Sequence, residues 1–240
     1  MEKALSLEKT GIFSGSVLKL LAVISMLIDH CAHILWADSA WMCSPLFTLA
    51  GEAFSPYYLL RQIGRAAFPI FCFLVAEGYL HTKNKVKYGR NLLLFALLSE
   101  IPFNLMMSNA VMHPDKQNVY FTLLLGLLFL AVYDCDWGQL RKGIGYIAIA
   151  LVAVAINADY GLRGALLVLL LYALREKPAL RMILSYPLLS GGVAAFAAFV
   201  PITLYNGRRG FIHSKWIKYA FYLFYPIHIL LLWIIKHYLY

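Results

Sequence analysis

The chain has 240 residues, 62% of them hydrophobic and only 14% charged, with a net charge of +9. A soluble domain carries about a quarter charged residues, so a water-soluble enzyme or binding module is excluded and one polytopic membrane domain over 1–240 is implied. The surplus lysines and arginines lie in short clusters between apolar runs, as in cytoplasmic loops, and are not a nucleic-acid signal.

Residues 1–15 are polar and mixed and read as a cytoplasmic N-terminal segment. The apolar run after them is too long for a signal-peptide core, so it is expected to stay as a first span over about 16–36. Within it, VLKLLAVISMLIDHCAHILW carries Asp29, His30 and His33. At about 1.5 Å per residue His30 sits roughly 20 Å beyond Val17, in the far half of a hydrocarbon core about 30 Å thick. A titratable group at that depth costs about 2.5–3.5 kcal/mol on insertion scales, so it faces a bundle interior and has a task.

Residues 37–60 are too broken to span and suggest an interfacial or partly helical lid. A second span is expected over 62–81. The stretch HTKNKVKYGR that follows holds four cations and no acid, which puts it in the cytoplasm. Further spans are expected over 91–108, 118–133, 143–157, 163–175, 180–204 and 217–237. The fold class is thus an all-α bundle of about eight transmembrane helices, some short or re-entrant. The N-terminus is expected inside a bacterial cytoplasmic membrane. Eight simple crossings put the Arg208/Arg209 loop outside, against its charge. Either span five or span six is re-entrant, or those arginines bind something specific.

Several polar groups fall within the spans. Arg61 and Arg65 share a face at the head of span two, where arginine can also snorkel to headgroups. Glu77 closes that span. Glu100 and Asn104 flank Pro102, and a polar, kinked face of this kind suits an internal cavity. Asp159 and Arg163 could pair across a tight turn. Tyr225 and His228 would face together beside Pro226, where a histidine also serves as a helix-to-helix hydrogen bond.

Three chemistries use such groups. A metal would need more convergent ligands than His30 with His33, or Asp29 with His33, supply. A proton-coupled carrier uses intramembrane acids and histidines, but no inverted repeat is visible. In a transferase, His30 would take a proton from an attacking hydroxyl or amine, since its pKa lies near working pH. It needs an orienting carboxylate. Asp29, as the adjacent residue, is poorly aimed, so one on another span, such as Glu100, is an equal candidate.

The motifs LKLLAVISMLIDHCAHIL, IGRAAFPIFCFLVAEGYLHTKN, SEIPFN, VYFTLLLG, ADYGLRG, YNGRRG and FYLFYPIHILLL, in this order over about 16–236, resemble the TraX family. Its named member acetylates the N-terminus of conjugative F pilin, and it is similar to the wider group of transmembrane acyltransferases. The resemblance implies acyl transfer from cytoplasmic acetyl-CoA, with no metal, to an amine or hydroxyl acceptor at or beyond the bilayer. A pilin N-terminus and an envelope glycan are both such acceptors, and a homodimer is compatible with it. His30 is then the catalytic histidine, with Asp29 and Glu100 as candidate carboxylates. Lys85, Lys87 and Arg90, with Arg208 and Arg209, would hold the donor. Arg65, Glu77, Asn104, Asp159, Tyr160, Arg163 and His228 would line the reacting site. A proton-coupled transporter and a non-catalytic pilus-assembly protein are the alternatives.

Overall fold

The computed structural model describes residues 11–238, so residues 1–10 of the expected N-terminal segment lie outside the described residues. Helix α1, Gly15–Leu35, starts at Ser14, whose hydroxyl accepts the Val17 N–H. A one-turn helix α2, Ala40–Cys43, and a hairpin of β1, Phe47–Leu49, with antiparallel β2, Glu52–Phe54, follow. They fill the segment expected to be a partly helical lid.

The second expected span is two helices, α3, Pro56–Gly64, and α4, Ala67–His81. Pro69 explains the break. It has no N–H for the carbonyl of Arg65 four residues back, and its ring crowds that carbonyl. The remaining long helices are α5, Lys85–Ser108, α6, Val119–Asp134, α7, Gln139–Ala155, and α8, Gly161–Ala173. Their bounds follow the expected spans within about four residues, except that α5 starts at Lys85, six residues early, and takes in residues 85–90 of the basic stretch expected to be a loop.

The expected span 180–204 is not one helix. It is α9, Pro178–Ser185, a 3-10 turn over Tyr186–Leu188, then α10, Gly192–Phe196, and α11, Phe199–Thr203. Pro187 and a left-handed Gly192, φ +55°, break it. Helix α12, Lys215–Tyr238, completes the chain.

Pairings at the helix ends fix the course of the chain. Lys85 bonds Asp134 at 3.1 Å, and Tyr172 donates to the same carboxylate at 2.8 Å, which gathers the start of α5 and the ends of α6 and α8. Lys218 at the start of α12 has Lys87 and Arg209 as electrostatic neighbours. This is the basic end. At the opposite end Lys236 meets Asp38 at 2.9 Å, and Trp233 donates to Asn109 at 2.7 Å.

Segment 178–203 leaves the basic end, reaches Arg65, whose guanidinium donates to the Ser190 carbonyl at 3.3 Å, and returns. Phe13 bridges Tyr205 on the return, and the amides of Gly15 and Ser16 donate to the carbonyls of Arg208 and Arg209. Segment 178–203 therefore turns back on itself, and the Arg208/Arg209 loop lies at the basic end, with the other cations. Among the described residues four helices are long and apolar enough to cross a membrane, with α3 and α4 taken together, and 119–134, 161–173 and 192–203, the last being α10 with α11, are shorter apolar helical stretches. Among the described residues the protein is an all-α membrane bundle with one small hairpin. Its core lies among α1, α4, α5, α6, α8 and α12.

Candidate functional site

A cavity of about 840 Å³ runs inside the bundle. Lys19, Arg209 and Lys218 border it near the basic end, and Asp29, His30, His33, Arg61, Lys116 and Asp159 border it further along. Between them the wall is largely apolar, with Met26, Phe71, Leu74, Val75 and Leu92. Along α1, Lys19 and His30 are separated by about 16 Å of helix rise. The passage thus joins a cationic region to a polar chamber across an apolar throat.

In the chamber, Arg61 bonds Asp29 at 2.6 Å. The pair ties α3 to α1, as does the Ser25 hydroxyl, which donates to the Ile63 carbonyl at 2.7 Å. Arg61 thus acts inside the bundle rather than snorkelling to headgroups. Lys116 bonds Asp159 at 2.6 Å. His30 Nδ1 lies 2.6 Å from His228 Nε2, with the two rings edge to edge, near-parallel, at a centroid distance of 4.9 Å. His228 Nδ1 lies 2.6 Å from the Phe224 carbonyl. Tyr225 is buried beside both rings, on the face of α12 expected for it and His228.

Pro226, without an N–H, leaves the Tyr222 carbonyl unserved within α12, and the Tyr120 hydroxyl donates to that carbonyl at 2.8 Å. Tyr160 stacks on Phe68 at 3.5 Å in the cavity wall. Arg65 borders the cavity from the break between α3 and α4.

Glu77 is buried, borders the cavity nearer the basic end, and lies 3.5 Å from His81. Tyr205 also bonds it; burial, with the neighbouring Glu77 carboxylate, pushes the Tyr205 hydroxyl up, so it remains a donor.

Several expected site residues stand elsewhere. Glu100 is not the carboxylate that orients His30. It accepts from the amide and side chain of Asn118, whose own oxygen caps α6 by accepting the Tyr120 N–H at 3.0 Å. The turn at the start of α6 leaves backbone donors that a carboxylate satisfies, and that role takes Glu100. Asn104 is buried and donates to the Val111 carbonyl at 3.0 Å, closing the loop after α5 instead of lining the cavity. Asp29 is no better as the orienting group. Successive helix residues diverge by about 100°, so its carboxylate goes to Arg61 while the ring of His30 goes to His228.

Asp159 pairs with Lys116 rather than with Arg163, which is exposed on the first turn of α8 and outside the cavity. Among the expected donor-binding residues only Arg209 borders the cavity. Lys85 is held by Asp134 and lies over the Tyr79 ring; Lys87, Arg90 and Arg208 are exposed. Lys19 and Lys218, overlooked in the sequence, border the cavity beside Arg209. Lys19 was a visible signal, a charge in the first turns of an apolar span.

The family model described as TraX, TraX protein, matches residues 14–236. The chain is 29% identical over 248 aligned positions to a protein of Dichelobacter nodosus described as probable fimbrial assembly protein FimC, serogroup H1, covering 92% of this chain and 94% of that one. No solved structure matches it.

Proposed function

This chain belongs to the TraX family, and from that premise we propose that it is a pilus-related membrane acyltransferase. It moves an acetyl group from cytoplasmic acetyl-CoA to an amine or hydroxyl acceptor, a pilin N-terminus or an envelope glycan, with His30 as general base. The observation that carries this reading is a continuous cavity with Lys19, Arg209 and Lys218 near one end and His30 in its polar chamber. A nucleotide's phosphates need cations and a pantetheine arm needs a long, mostly apolar slot; the passage supplies both. The spacing from Lys19 to His30 suits an extended arm that delivers its thioester to the ring.

The acceptor X–H attacks the thioester carbonyl. The C–X bond forms, the C–S bond breaks with its electron pair going to sulfur, and the X–H proton passes to His30 Nε2. The CoA thiolate then takes that proton, leaving acyl–X and CoA–SH. Arg65 and the chamber cations oppose negative charge developing on the carbonyl oxygen.

The test uses membrane vesicles containing the protein and radiolabelled acetyl-CoA. Label should enter membrane protein or glycan, and His30→Ala should abolish the transfer while leaving the protein's thermal transition in place. Undiminished transfer by folded His30→Ala overturns the assignment. The relative described as a fimbrial assembly protein favours a second, non-catalytic reading. That reading requires no label transfer, no thermal shift with CoA, and a stable protein partner on purification. A carrier, in turn, would move solute or protons in proteoliposomes without CoA.

A further inference from the structure

The carbonyl of Phe224 decides where the protons sit on two imidazole rings. It lies 2.6 Å from His228 Nδ1, and a carbonyl oxygen only accepts, so that nitrogen carries a hydrogen. A neutral imidazole has one such hydrogen, so His228 Nε2 is an acceptor. Its neighbour at 2.6 Å is His30 Nδ1, which therefore donates. The remaining ring nitrogen of His30, Nε2, holds a lone pair, and His30 borders the cavity. The resting rings are neutral because the carboxylates of this chamber are already paired, Asp29 with Arg61 and Asp159 with Lys116. His33 and Arg65 also border the cavity at this end, and Lys236, an electrostatic neighbour of His33, is paired with Asp38.

We propose that His228 is the positioning residue of the site. It fixes His30 as the Nδ1–H tautomer, presents Nε2 to the acceptor, and stabilises the imidazolium that forms when Nε2 takes the proton. This rests on the acyl-transfer reading above. It gives His228 the part that a carboxylate plays in serine-hydrolase triads, and so explains why neither Asp29 nor Glu100 reaches the ring. The two rings meet edge to edge, only 10° from parallel, which aims the Nδ1–H of His30 along the Nε2 lone pair, and the burial of His228 holds this geometry.

The tautomer is tested on the unmodified protein by nitrogen NMR with labelled histidine in nanodiscs. A coupling across the hydrogen bond should link His30 Nδ1 to His228 Nε2, and His30 Nε2 should show the shift of an unprotonated nitrogen. A protonated His30 Nε2, or absence of the coupling, overturns the proposal even if no variant folds.

In the vesicle assay, His228→Ala should lower the rate at saturating acetyl-CoA about 100-fold, with the half-saturating concentration changed less than about twofold. His228→Gln, whose amide oxygen can accept from Nδ1, should recover at least about tenfold of that loss. A folded His228→Ala with the wild-type rate overturns the positioning role. If His30→Ala is then inactive, the base assignment survives that failure. If His30→Ala also keeps the full rate, the acyl-transfer reading itself has failed.

Discussion

The carboxylate of Asp29 lies flush against the α-carbon of Gly64, so that a methyl group built on Gly64 would overlap both its Cβ and its oxygen. The contact is near the α1 backbone, where no flexible side-chain end can swing away. Gly64 is what lets α3 approach α1 closely enough for Arg61 to reach Asp29 at 2.6 Å. Gly64→Ala should therefore push the two helices apart and break that ion pair. Overpacking of this kind costs about 1–3 kcal/mol, and here the Arg61 pair weakens as well. We expect a thermal transition several degrees lower and a fall in label transfer; an unchanged transition would show that the contact is not restrictive.

Tyr120 tests the kink that brings His228 into place. Its hydroxyl occupies the carbonyl of Tyr222 that Pro226 leaves unserved. Tyr120→Phe keeps the ring and its packing but strands a carbonyl among buried side chains. The expected cost is about 1–3 kcal/mol. Tyr120→Phe combined with Pro226→Ala should cost less than the sum of the two single changes, because alanine restores the N–H that serves the same carbonyl. Strict additivity in thermal unfolding would contradict this account.

Lys19 and Lys218 make a claim about the donor. Both border the cavity near the basic end, together with Arg209. If they hold phosphates, Lys19→Ala and Lys218→Ala should each raise the half-saturating acetyl-CoA concentration about tenfold, equivalent to about 1.4 kcal/mol, with little change in the saturated rate. Raising the salt should narrow the difference between variant and wild type. Unchanged half-saturation in both would remove the donor from this mouth.

The sequence carried the helices well. The polar trio in α1, the bounds of α6, α8 and α12, the end of α5, and the pairing of Tyr225 with His228 beside Pro226 follow from hydropathy, periodicity and proline chemistry. Long-range partners were not legible. His30 and His228 lie 198 positions apart, and nothing local in either stretch chooses one ring for the other. Glu100 looked like a free intramembrane acid because its task, satisfying the turn that starts α6, is met by residues 18 positions away. Segment 180–204 has the apolar composition of a span, and hydropathy alone cannot see that it turns back. The signals that did exist were Pro187, the Gly191–Gly192 pair, and the misfit of the Arg208/Arg209 charges with eight crossings.

That misfit yields the last prediction. Arg208 and Arg209 are strapped by their carbonyls to the first amides of α1, and Lys218 nearby has Lys87 as an electrostatic neighbour. The loop after α11 therefore shares a face with the loop between α4 and α5. In a cysteine-free background, Lys83→Cys and His213→Cys should both react with a membrane-impermeant maleimide applied to one face, and Val111→Cys only to the other. All three positions are exposed. Charge asymmetry predicts that the first pair is cytoplasmic, so they should react in inverted vesicles and stay protected in intact spheroplasts. If His213→Cys instead reacts from the face that labels Val111→Cys, segment 178–203 crosses the membrane. The mouth formed by Lys19, Arg209 and Lys218 would then open on the side opposite Lys83, away from cytoplasmic acetyl-CoA.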